Sequence, residues 1–287
     1  MTAILTEMRN AFHRDLIRTG TLTLNDRGIP SNADKSQKSS IIFASGIARR
    51  IGVTNRLAKL SGQTSGGNFE KSICSFLESS FRLFSHLRPG YWSVRNLGSS
   101  RHNYALAGLE PYVHLDYLAR AVSENPELRS VLGNGYLISP DVIISRQPEP
   151  DVVINNGRPL VDNAVACRTI LRAENSPKMI LHAVVSCKWT LRSDRAQNAR
   201  SEALNLVRNR KGRLPHVVVV TGEPSPSRLA SLALGTGDID MVYHFALPEL
   251  IESVESTEQD EAAALLKTMV DGSRLRDIAD LPLDLSV

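Results

Sequence analysis

Apolar residues between Ile4 and Ile17 recur at Leu5, Met8, Phe12 and Leu16, the spacing of one helix face, and the run ends at Gly20. Residues 21–38 are polar and turn-rich and read as a long loop, followed by a second helix over about 39–60. From Phe69 to Leu87 a third helix carries the stripe Ile73, Phe76, Leu77, Phe81 and Phe84 and is stopped by Pro89 and Gly90. Residues 112–132 read as one or two short helices broken near Pro126. The pattern then changes. "YLISPDVIISR" at 136–146, the Pro-rich turn "QPEP" and "DVVIN" predict two strands of a hairpin, and about 161–174 forms a helix or strand. The strand "MILHAVVSCKW", a helix over about 194–210 closed by Gly212, and the buried strand "HVVVVTG" come next. A helix near 227–234, a strand near "DIDMVYHF" and acidic helices complete the chain. Strands alternating with helices predict an α/β fold with a mixed central β-sheet flanked by helices.

The 287 residues suffice for a large core, and 42% hydrophobic with 22% charged residues excludes overall disorder. No apolar stretch reaches the length of a membrane span, and acids and arginines occupy the N-terminal segment where a signal peptide would be apolar, so the expected location is cytoplasmic. Cys74, Cys167 and Cys187 lack CxxC spacing and suggest neither a disulfide framework nor a thiolate zinc site. "SGQTSGGNFEKS" at 61–72 lacks the Gly-Lys-Ser/Thr ending of a P-loop. The net charge of +4 hides a division. Residues 168–228 hold twelve Lys or Arg against four Asp or Glu, whereas residues 238–287 hold three against twelve. The basic region suits a polyanion, or is a solvated face.

Within that region Ser186 and Lys188 project to one face of a strand and Cys187 to the other. A lysine at the end of a buried strand either snorkels to water or pairs with acid. Acids are available. Asp141 interrupts the apolar run "ISPDVII", and Glu202 borders the stripe Ala199, Ala203, Leu206 and Val207, so it can face back toward the strand ends. Together they make an oxygen-ligand set suited to Mg²⁺, beside a lysine that can orient water or help deprotonate it. Glu202 also reads as an ordinary surface acid, and Glu70, on the flank of its helix stripe, as a first-turn acid favoured by the helix dipole. Asp151, in "PDVVI", echoes Asp141 in "PDVII", and either could be the acid of the site; the longer apolar run before Asp141 favours Asp141.

Pro140-Asp141, then Ser186-Cys187-Lys188 and Glu202, resembles the PD-(D/E)xK nuclease superfamily in the form where a Ser precedes the lysine and a Glu from the next helix replaces the usual acid. With "RSDR" directly after the lysine strand, the chain is similar to type II restriction endonucleases that read a CCGG core. The resemblance implies one endonuclease domain over 1–287, with an N-terminal helical part (about 1–130) on a catalytic core (about 131–250) and an acidic C-terminal helical tail. It assigns Asp141, Lys188, Ser186, Glu202 and Glu70 to catalysis, and Asp141, Glu202 and the Cys187 carbonyl to Mg²⁺. Arg192 and Arg195 would take guanines and Asp194 cytosines of the core, matching the donor and acceptor code of the major groove. The other reading of "RSDR" is a helix cap with arginines on phosphates. Arg228 and Asp34 fall where readers of the outer G:C pair would stand, and Gln63 where a minor-groove contact would.

The resemblance further implies cleavage of double-stranded GCCGGC after the first G, leaving 5′-phosphates. It implies a homo-oligomer, as a dimer of dimers, in a bacterial host with a protecting methyltransferase. A repair or structure-selective nuclease with the same acids and lysine stays open, as does a non-catalytic DNA-binding regulator.

Overall fold

The structure is a computed structural model that describes residues 2–55, 60–98, 106–132, 140–235 and 237–287. The first helices are α1 (Ile4–Arg18), α2 (Lys38–Ile51) and α3 (Gly62–Phe81). Helix α2 stops before the predicted boundary because Gly52 takes φ +83° and its N–H closes the last turn on Arg49. Helix α3 starts earlier than its apolar stripe does. The Ser61 hydroxyl accepts the Thr64 N–H and caps the extra turns, which carry Gln63; Glu70 therefore lies inside the helix and is not the first-turn acid expected from the spacing.

A strand the pattern did not predict, β1 (Trp92–Asn96), comes next, so the N-terminal part is not wholly helical. It is followed by α4 (His114–Glu124), α5 (Pro126–Leu132), β2 (Val142–Arg146) and α6 (Asp151–Asn155). The expected hairpin is therefore corrected: "DVVIN" is a short helix, and β2 pairs with β1 and with β3 (Ile180–Lys188) instead. Tyr136 to Ser139, the start of the predicted strand, lie outside the described residues. Residues 161–174 form neither helix nor strand. That segment wraps around buried Arg172, which pairs with Asp151 and donates to the carbonyls of Asp162 and Val165. A polar core of this kind leaves no periodic apolar trace in sequence.

Helix α7 (Ser193–Asn209), β4 (His216–Thr221), α8 (Pro226–Ala233), β5 (Met241–His244), α9 (Leu247–Glu255), α10 (Asp260–Asp271), β6 (Leu275–Asp277) and α11 (Leu281–Asp284) complete the fold. The acidic tail thus contributes a strand as well as helices. The described residues form a mixed six-stranded sheet in chain order, antiparallel from β1 to β3 and parallel from β3 to β6. Central β3 is buried from Leu181 to Cys187 and β4 from Val217 to Thr221. Strands covered on both faces read as continuous apolar runs, which is why these two were legible. One contiguous core links Phe12 on α1 to Leu285.

The parallel register opposes Lys188 to Thr221, so the turns after β3 and β4 leave the sheet side by side. Trp189 fills the space between them, its ring 5.0 Å from that of Phe69 and 5.3 Å from that of Phe245. Gly222 lies against this ring: a Cβ there would stand 2.4 Å from the Trp189 Cε3. Since Trp189 is held on both sides, Gly222→Ala is expected to cost about 1–3 kcal/mol by overpacking. Urea unfolding measures it; an unchanged midpoint would show that the ring yields freely.

Candidate active site

The antiparallel register sets Val142 opposite Val185, and so delivers Asp141, one residue before β2, to the end of β3. Its Oδ2 accepts the Cys187 N–H at 2.6 Å and lies 3.4 Å from the Lys188 Nζ. Lys188 sits on the same strand face as Ser186, as the two-residue period requires. Asp151 belongs elsewhere: it begins α6 and pairs with Arg172. Opposite the strand ends, Gln63, Glu70, Lys188, Arg195 and Glu202 line one cleft of about 250 Å³. Gly66 and Gly67 border it, and a Cβ at either would meet nothing within 4 Å, so the α3 side of the cleft is open. Asn198, which the sequence reading passed over, also lines it. Its signal was present, because Arg195, Asn198 and Glu202 recur at the three-and-four spacing of one helix face.

The charges are unbalanced. Burial, and secondarily the Asp141 carboxylate, push Glu70 up to about 7. Glu202 is raised by burial and by Asp141, with the Lys188 ammonium and the Ser186 hydroxyl opposing. For Lys188 burial lowers the pKa, but Asp141 and Glu202 together outweigh it and keep the ammonium above its usual range. Cys187 is buried, and desolvation pushes its thiol far up, so its thiolate is not available as a nucleophile. Three acids thus stand against two cations, Lys188 and Arg195, which leaves room for a further positive group beside the acids.

The donor set fits a hard divalent ion. The Ser186 hydroxyl is buried and forms no hydrogen bond of good geometry among the described residues, although it leans toward Glu202. Among the described residues, no three Asp, Glu, His or Cys side chains converge as a closed metal cage. Two carboxylates and a backbone carbonyl are nevertheless what Mg²⁺ takes when it keeps several waters.

The segment after β3 turns outward beside this cleft. Arg192 is the residue before the first turn of α7, makes no side-chain cap, and is exposed; Asp194 in the first turn is exposed too. Among the described residues neither side chain forms an ion pair, so their recognition groups are free to meet a ligand. Arg195 is half-buried and donates to the Thr190 hydroxyl at 3.0 Å, which aims it over the cleft. Asp34 and Arg228, 194 residues apart in sequence, form an ion pair at the neighbouring strand end. Hydrogen bonds from Ser36 and then Arg228 hold the Asp34 carboxyl far below its usual range. No helix among the described residues is long and apolar enough to cross a membrane.

The profile of the NgoMIV restriction enzyme family matches residues 12–287. Over 287 residues, all of both chains, the sequence is 50% identical to the type II restriction enzyme NgoMIV of Neisseria gonorrhoeae. A solved complex of restriction endonuclease PspGI with substrate DNA aligns with 98% of this chain and 91% of that one, at 14% identity and a TM-score of 0.26. The family match and the full-length identity agree with the acid and lysine cleft at the strand ends: the chain belongs to the NgoMIV restriction enzyme family, type II site-specific endonucleases.

Proposed function

We propose that this endonuclease cleaves double-stranded GCCGGC after the first G on each strand by Mg²⁺-dependent hydrolysis, leaving 5′-phosphates. The observation that carries the chemistry is the contact of Asp141 with both the Cys187 N–H and Lys188, in register with a cleft that Glu70 and Glu202 also line. Asp141, Glu202 and the Cys187 carbonyl would hold the ion, with Glu70 adding negative charge beside it. When bound, such an ion supplies positive charge to the phosphate oxygens as the transition state forms. Lys188 orients the attacking water by donating to it and steadies the charge that develops, while Ser186 offers its unsatisfied hydroxyl to the same polar cluster.

Site choice falls to the groups around the cleft. Arg192 and Arg195 would fork onto guanine O6 and N7, and Asp194 would accept from cytosine N4. Asp34 and Arg228 are the same acid and base combination for the outer pair. Their mutual ion pair neutralises both while no base pair is present, so wrong bases must compete with an existing contact. Gln63, at the start of α3 on the cleft wall, would reach the minor groove. Palindromic DNA then implies two copies around a twofold axis, arranged as a dimer of dimers. In a bacterial cytoplasm a protecting methyltransferase would accompany the enzyme.

Plasmids with and without GCCGGC, incubated with Mg²⁺ or with chelator, test this reading. Cutting confined to the site and to the metal supports it, and cutting independent of sequence contradicts it. Arg192→Ala is expected to lose about 1–3 kcal/mol of discrimination between CCGG and cores with one altered pair. Competitive binding measures that loss; equal weakening on every sequence would make Arg192 a phosphate contact instead.

A further inference from the structure

The turn after β4 carries an acid that the hydrolytic centre does not use. The Glu223 side chain is only 1% exposed, and a carboxylate so removed from water needs its lone pairs engaged. Its Oε2 accepts the Leu191 N–H at 2.8 Å, and its Oε1 accepts the Ser225 N–H at 3.2 Å. The Arg228 Nη1 lies 3.7 Å from Oε2, while the Nη2 of the same guanidinium pairs with Asp34. Leu191 immediately precedes Arg192, and Ser225 is the cap residue of α8, the helix that bears Arg228. One residue earlier, the Gly222 carbonyl accepts from the Asn32 side chain at 2.8 Å, anchoring the loop of Asp34 to the same turn. Two segments distant in sequence, at Asn32 and Leu191, therefore converge with the start of α8 on residues 222 and 223.

We infer that Glu223 is a positioning residue for sequence discrimination: it clamps Arg228 against Asp34 and ties that outer-pair reader to the peptide that delivers Arg192. The inference rests on the reading of Asp34 and Arg228 given above. The two N–H groups engage different oxygens, so a neutral amide could accept only one of them. What the negative charge adds is a fixed guanidinium, because Arg228 between two carboxylates loses the rotameric freedom that would let it accept alternative bases. Burial pushes Glu223 up to about 7, opposed first by the Leu191 N–H and then by Arg228, so the group is poised where loss of either partner would neutralise it. The sequence held the signal, since an acid directly follows the buried strand "HVVVVTG".

Glu223→Gln keeps the size and an acceptor for Leu191 while removing the charge, together with the acceptor for Ser225. Its test is the ratio of single-turnover cleavage efficiencies on duplexes containing GCCGGC and ACCGGT, which share the inner core. The ratio is expected to fall about tenfold or more, within the range that one bidentate reader commands. A merely structural role would lower both rates in step, and an unchanged ratio in folded Glu223→Gln overturns the proposal. Repeating the substitution in Arg228→Ala closes a double-mutant cycle, in which Glu223→Gln is expected to change the ratio less than about twofold. The double variant leaves no buried charge at 223, and Asp34, which loses its partner, is 25% exposed, so the double variant stays measurable even if the single variant does not fold. A further drop in it overturns the proposal. The wild-type protein separates the two levels: if it shows no outer-pair preference, the reading of Asp34 and Arg228 fails, whereas preference retained in both wild type and Glu223→Gln removes only the role of Glu223.

Discussion

Asp141→Ala is expected to lower cleavage of a GCCGGC plasmid by about a thousandfold or more while leaving DNA binding in place. Asp141 joins the parts of the site. It accepts the Cys187 N–H, pairs with Lys188 and raises the pKa of both Glu70 and Glu202. Its removal deletes a proposed carboxylate ligand and releases the lysine, so two requirements of the proposed reaction fail together. Binding is expected to persist because the proposed DNA contacts, Arg192 before α7 and Arg195 held by Thr190, do not depend on Asp141, and one fewer negative charge near the phosphate favours association. Gel-shift titration beside a cleavage time course separates the two effects. Undiminished cutting would mean that another acid is the essential one.

Lys188→Ala is expected to reduce the rate by about a hundredfold to ten-thousandfold, the range for loss of a positioned proton-handling group. Without the ammonium, Asp141, Glu70 and Glu202 face one another with no cation between them. Burial already raises both glutamates, and loss of the Lys188 ammonium that opposes it favours their protonation further, which preserves folding at the expense of the charged site. The variant should thus unfold at a urea concentration near that of the native protein yet cut far more slowly under saturating Mg²⁺. If high Mg²⁺ restored the full rate, Lys188 would merely be balancing charge and would not be handling the attacking water.

The sheet was legible wherever strands are buried on both faces. "HAVVSCK" and "HVVVV" have no amphipathic ambiguity, and Pro140-Asp141 falls where such a strand begins. Edge strand β1, with its half-buried pattern, and three-residue β6 carry too few apolar positions to stand out from turns. The hairpin reading failed because "DVVIN" has strand-like composition but is captured as a helix by the buried Arg172, a contact twenty-one residues away that local pattern cannot show. The catalytic candidates were found because an acid and a lysine at the ends of apolar runs are costly without a partner. Glu223 also follows an apolar run, but its local partners Ser225 and Arg228 make it read as an ordinary turn acid, and the Leu191 N–H becomes its neighbour only when β3 and β4 lie side by side.

Diffraction from crystals of the protein with GCCGGC duplex and Mn²⁺, recorded at the manganese edge, locates the ion directly. The account predicts an anomalous peak within bonding distance of the Asp141 carboxylate and the Cys187 carbonyl, touching the phosphate after the first G, with the Lys188 amine alongside. A peak remote from Asp141, or a scissile phosphate lying outside the cleft between α3 and the end of β3, would contradict it.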